Sequence, residues 1–172
     1  MVLTKSELIA SLQNEARILL HLARKVDRSA LDYRPTPGQR STGELVRYLS
    51  MMGPTVVRYG LADSPDLAIW TDAEQAAEAR DLDASVAEIA THEDVYAALL
   101  DNVTDESLRS SMIDFDGKTS SRGAFLVNLA VAGCAAYRTQ LFLYLKASGQ
   151  ASLNSMNLWS GVDAMPVPAS AS

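Results

Sequence analysis

Three residues near the end of the chain have side chains that could do chemistry together. They are Tyr137, Arg138 and Gln140, set inside the otherwise apolar stretch Gly133-Cys134-Ala135-Ala136-Tyr137-Arg138-Thr139-Gln140-Leu141, with Tyr144 one turn further on. A phenol can donate a proton or a hydrogen bond, a guanidinium can hold an anion, and an amide can both donate and accept. A phenol works as a general acid near neutral pH only when its pKa is lowered, and Arg138 is the nearby cation that could lower it. Cys134 lies about 100° from Gly133 around a helix. It has no histidine within four residues to act as a base, so it reads as a small buried thiol. His21 reads as a boundary residue, and His92, within Thr91-His92-Glu93-Asp94, as a solvated one. The carboxylates from Asp72 to Asp83 face only Arg80 and lack the ligand spacing of a cation loop, so they form an acidic, solvated face. The sequence has no Gly-rich phosphate loop, nucleophile elbow or Cys-x-x-Cys pair.

The elements that must position these residues follow from apolar spacing. A chain of 172 residues that is 48% hydrophobic and 21% charged suits one globular domain. A formal charge of −6 argues against a nucleic-acid partner, which would need a basic face. The single cysteine precludes an intrachain disulfide and fits a reducing compartment. The N-terminus lacks the pattern of a signal peptide. The longest apolar run, Ala124 to Ala136, is interrupted by Asn128 and reads as too short to span a bilayer. A cytoplasmic protein without a membrane partner is expected.

Thr4-Lys5-Ser6-Glu7 is a capping box that opens a helix with Leu8, Leu12, Leu19 and Val26 on one face, expected to end near Arg28. Leu31 to Arg40 reads as a loop stiffened by Pro35 and Pro37. Ser41-Thr42-Gly43-Glu44 caps a second helix, in which Pro54 predicts a kink. Thr71-Asp72-Ala73-Glu74 predicts a short helix through Arg80, and Leu82 to Val103 a third long one. Thr104-Asp105-Glu106-Ser107 caps one more short turn. Asp116-Gly117 predicts a tight hairpin. The last helix runs from about Ser121 to Lys146, with Leu126, Leu129, Ala130, Gly133, Tyr137, Leu141, Tyr144 and Leu145 as its stripe and Gly149 beyond its end. The expected fold is an all-α four-helix bundle over residues 1–150, with a hairpin-like excursion before the last helix. Residues 151–172 form a tail that Trp159 could anchor and whose ending, from Pro166, is flexible by composition.

Three segments in this order carry a resemblance: Arg34-Pro35-Thr36-Pro37-Gly38-Gln39-Arg40-Ser41, Glu44-Leu45-Val46-Arg47-Tyr48-Leu49, and the late Tyr137-Arg138-Thr139-Gln140-Leu141 with Tyr144-Leu145-Lys146-Ala147-Ser148-Gly149. The chain resembles the DinB-like superfamily over most of Ser6 to Gly149. That resemblance implies a four-helix bundle, often homodimeric, in which many members hold zinc or nickel on three histidines. Some members use that metal with a low-molecular-weight thiol. The three histidine positions fall here on Tyr48, Gly133 and Tyr137. Glycine has no side chain to offer and neutral phenols are poor ligands for zinc or nickel, so no metal and no cofactor is expected at this site.

Two readings of the position follow. In one, Tyr48 and Tyr137 fill the space of the metal and pair with each other, with Gln140 or with water. In the other, Tyr48, Gly133, Tyr137, Arg138, Gln140 and Tyr144 line a small-molecule pocket. The corresponding functions are a dimeric DinB-like protein that binds a small molecule or is structural, and a thiol-dependent S-transferase or related enzyme using a displaced metal or a tyrosine–arginine pocket.

Overall fold

The computed structural model describes residues 3–163; the expected flexible ending from Pro166 to Ser172 lies outside them. Helix α1 (Lys5–Ala23) starts where the capping box puts it. The Glu7 N–H donates to the Thr4 hydroxyl at 3.2 Å, and Glu7 Oε2 accepts from the Thr4 N–H at 2.7 Å. It ends one turn before Arg28, which opens a separate 3₁₀ turn, Arg28–Ala30. Helix α2 (Thr42–Leu61) begins at the second capping box and runs through Pro54.

Pro54 cannot donate to the carbonyl of Ser50 one turn back. Two side chains from outside the helix serve that oxygen instead: His92 Nε2 at 3.1 Å and Arg80 Nη1 at 3.3 Å. His92 is therefore buried and not solvated, and its Nε2 carries a hydrogen. It opens α5 (His92–Leu100), which follows α4 (Leu82–Ala90) after a break at Thr91. The third long helix is thus two shorter ones. Helix α3 (Ala68–Glu78) also departs from the expected start. Thr71 lies inside it and bonds back to the Ala68 carbonyl at 3.2 Å, so it caps nothing.

After α6 (Asp105–Ser110), strands β1 (Met112–Phe115) and β2 (Lys118–Ser121) pair antiparallel, with Phe115 opposite Lys118 and Met112 opposite Ser121. Asp116 (φ 49°) and Gly117 (φ 71°) make the two-residue turn with positive φ at both positions. Helix α7 (Arg122–Phe125), capped by Ser121, continues through a π-helical stretch, Leu126–Val131, into α8 (Ala132–Ala147). A Schellman cap closes it: the Gln150 N–H donates to Leu145 O at 2.9 Å and Gly149 takes a φ of 112°.

The bundle consists of α1, α2, the α4–α5 pair and the last helix. Both α1 and α2 pack on α4, α5 and the last helix, so they stand across the bundle from one another and not side by side. By length and hydropathy alone Arg122–Ala147 could cross a bilayer; here it forms a wall of the bundle against α1 and α2. Residues 153–163 fold back onto α1. Leu153 and Asn157 are buried there, and Arg17 Nη1 donates to Ser160 O at 2.6 Å. Trp159 is 69% exposed, so the buried Asn157 and Leu153 are the anchors in its place.

Candidate functional site

Tyr48 on α2 and Tyr137 on α8 meet edge to face, with ring centroids 5.0 Å apart. Trp70 of α3 lies 6.1 Å from the Tyr48 ring, and the Arg40 guanidinium sits 3.9 Å from its centroid. Burial and the neighbouring Tyr137 hydroxyl hold the Tyr48 phenol well above the ordinary tyrosine value; Arg40 opposes that shift without cancelling it. Tyr48 is therefore a neutral phenol at physiological pH. Gly133 sits beside this pair, where the nearest atoms to an added methyl group would be the Met52 Sδ and Cε at 3.9 Å. The space is open.

The other candidates lie elsewhere. Arg138 turns into the core and is 5% exposed. Its Nε and Nη2 donate to the carboxylate of Glu15, itself 7% exposed, and its Nη1 donates to the Leu158 carbonyl of the C-terminal segment. It does not line a pocket with the tyrosines. Gln140 Nε2 donates to the Tyr144 hydroxyl at 2.7 Å, which in turn donates to Arg40 O at 3.2 Å, with Tyr33 stacked edge-on against Tyr144 at 5.6 Å. These two residues tie the loop before α2 to the last helix. Cys134 is buried beside the Tyr96 hydroxyl at 3.8 Å, and burial pushes its thiol up to about 12. Tyr96 needs Gly53 opposite, because a methyl group there would come within 2.1 Å of its hydroxyl.

The π stretch explains this division. Leu126, Ala130, Cys134 and Arg138 are all buried, four residues apart at each step. In a regular α-helix each such step overshoots a full turn by about 40°, and the wide π turns over Leu126–Val131 absorb that drift at the start of the series. The core face therefore falls on Cys134 and Arg138, while Gly133 and Tyr137 move to the flank that meets α2 and α3.

One turn along that flank from Gly133, a cavity of about 290 Å³ opens between α2, α3, the hairpin and the π stretch. Val56, Tyr59, Leu67, Trp70, Phe115, Phe125 and Leu129 line it. The sequence alone marks none of these as a site residue. The available signals are Tyr59 on the α2 stripe, Trp70 beside a helix start and an aromatic residue next to the Asp116-Gly117 turn. A larger depression of about 520 Å³ lies away from the tyrosines, between the start of α1, α6 and α7. It has no aromatic wall. A polar recess of about 300 Å³ flanks Tyr48, with Arg40, Arg47, Glu74 and Glu78 around it.

No protein-family model matches the chain, and no curated protein does. Among solved structures, the DinB-like protein YjoA from Bacillus subtilis superposes with a TM-score of 0.65 at 20% identity, over 86% of this chain and 94% of YjoA. This chain has the DinB-like fold. The DinB-like bundle raises the question of a metal, and the residues at the expected position do not fit one. Gly133 contributes no donor atom, and Tyr48 is held in its neutral form. Among the described residues no group of three or more His, Cys, Asp or Glu is placed to hold a metal ion.

Proposed function

We propose that this chain is a DinB-like protein that binds a small molecule in the cavity between α2, α3, the hairpin and the last helix, with Tyr48 and Tyr137 closing the position at which the resemblance implies a metal. The observation that carries the reading is the apolar cavity of about 290 Å³ lined by Val56, Tyr59, Leu67, Trp70, Phe115, Phe125 and Leu129. Trp70 joins its wall to the tyrosine pair, with its ring 6.1 Å from that of Tyr48. The transferase reading through a tyrosine acid has less support. It needs a phenol whose pKa is lowered, but Arg138 is committed to Glu15, and Arg40 beside Tyr48 does not offset the burial and the Tyr137 hydroxyl that hold that phenol up. We further propose a cytoplasmic homodimer with neither nucleic acid nor membrane as partner. Exposed Leu143 and Val127 on the last helix, with Ala132 and Ala136 between them, support a helix-face contact.

Two measurements test the main reading. Metal analysis of dialysed protein is expected to show no stoichiometric zinc or nickel, and a tightly held equivalent of either would overturn the closed-site proposal. Thermal-shift screening of low-mass compounds is expected to give stabilising hits that vanish in Leu129→Trp. Hits that persist in that variant would place the ligand elsewhere. Size-exclusion chromatography at micromolar concentration checks the dimer.

A further inference from the structure

Resting on that small-molecule reading, we infer that the cavity selects a flat, uncharged aromatic molecule of about bicyclic size. Tyr59, Phe115 and Phe125 form a closed ring cluster along one side. Tyr59 and Phe125 stack with centroids 6.0 Å apart, and Phe115 stands edge-on to both, at 5.8 Å from Tyr59 and 5.5 Å from Phe125. Trp70 adds a fourth ring from α3, and Val56 and Leu129 complete the lining with aliphatic groups. Ring faces and edges attract a planar aromatic guest through offset and edge-to-face contacts that a saturated guest of the same size does not make.

Charge excludes the obvious competitors. None of the lining side chains is ionisable near neutral pH, so a carboxylate or phosphate would lose its hydration without a partner. Aromatic walls can hold a quaternary ammonium ion when ring faces surround it. Here three of the four rings are engaged with one another, and no carboxylate lines the cavity to balance the charge. The lining offers two polar atoms, the Tyr59 hydroxyl and the Trp70 indole N–H. Neither is hydrogen-bonded to another described residue, so each can serve a hydroxyl or carbonyl oxygen on the guest. The volume lies at the small end of ligand pockets, which span roughly 300 to 1,000 Å³. That size suits a fused two-ring compound and is too small for a lipid chain with its headgroup. Phe115, 41% exposed on the hairpin, is the wall residue most open to solvent among the rings.

Calorimetric titration of the full chain with 2-naphthol, its saturated counterpart decahydro-2-naphthol, 2-naphthoate and tetramethylammonium tests the inference. 2-Naphthol is expected to bind about tenfold tighter than the saturated alcohol, as a few favourable ring contacts imply, and the two ions are expected not to bind. Leu129→Trp should abolish 2-naphthol binding. Phe115→Ala, at a partly exposed position, should weaken it several-fold while the variant stays folded with a modestly lower melting temperature, as the lost edge contacts to Tyr59 and Phe125 imply. Equal or tighter binding of decahydro-2-naphthol overturns the aromatic class and leaves the small-molecule reading standing, as does binding of either ion in the cavity. Binding of none of the four, together with a dimer in solution that Phe115→Ala dissociates, assigns the groove to a second copy and overturns both.

Discussion

Glu15 and Arg138 lie 123 residues apart in the chain and share one buried ion pair. Taking both charges out of water is costly, and the pair recovers that cost through a two-pronged contact plus the Leu158 carbonyl. Removing one partner strands the other. Glu15→Ala or Arg138→Ala is expected to destabilise the protein by about 3–5 kcal/mol. The double variant Glu15→Leu/Arg138→Met should cost clearly less than the sum of the singles, and denaturant titration of the set measures the difference. Additive losses would show that the two charges do not depend on each other. The sequence shows Glu15 only as a residue at the edge of an apolar stripe. Its partner is not local, so spacing rules carry no signal for it. Tyr48 and Tyr137 are different: their motif context marks them, and they do meet. The depth to which Arg138 turns away from them follows from a helix irregularity that residue types do not announce.

At the scale of elements, local chemistry was the most legible. Three capping boxes form as their side chains dictate, at Thr4, Ser41 and Thr104, and so does the Asp116-Gly117 turn. The pattern at Thr71 fails because Asp66 already serves an amide at the start of α3, accepting from the Ala68 N–H at 3.0 Å. The break at Thr91 and the π stretch were not legible, since both satisfy tertiary packing more than local preference. The break has a consequence at Pro54. It brings His92 to the Ser50 carbonyl, and burial holds His92 below its ordinary pKa. The folded state then takes up the proton less readily than the unfolded chain. The stability contributed by neutral His92 is complete above about pH 6.5 and declines as the pH falls from there toward the depressed folded pKa. His92→Gln keeps an N–H donor and cannot titrate. It is expected to flatten the pH dependence of unfolding below about pH 6.5, leaving the slope from His21, whose pKa burial also lowers. An unchanged slope in urea melts across that window would exclude His92 as its source.

For the whole molecule, the bundle class was readable because four long apolar stripes allow few other solutions. Which helices become neighbours was not readable, because stripe width does not encode a partner. The placement of α1 and α2 across the bundle from each other is the feature with the widest reach. It means that α1 and α2, the first third of the polypeptide, have little to fold against until later helices appear, the first of them α3 on α2. During synthesis, α1 and α2 emerge with both apolar faces awaiting α4, α5 and the last helix, and the C-terminal segment that ties down Arg138 arrives last of all. A fragment of residues 1–61 is therefore expected to show no cooperative thermal unfolding by circular dichroism, in contrast to the full chain. A sigmoidal melt of that fragment would show that the two helices can support each other alone. On this topology the nascent chain carries unprotected hydrophobic surface until the last helix has emerged.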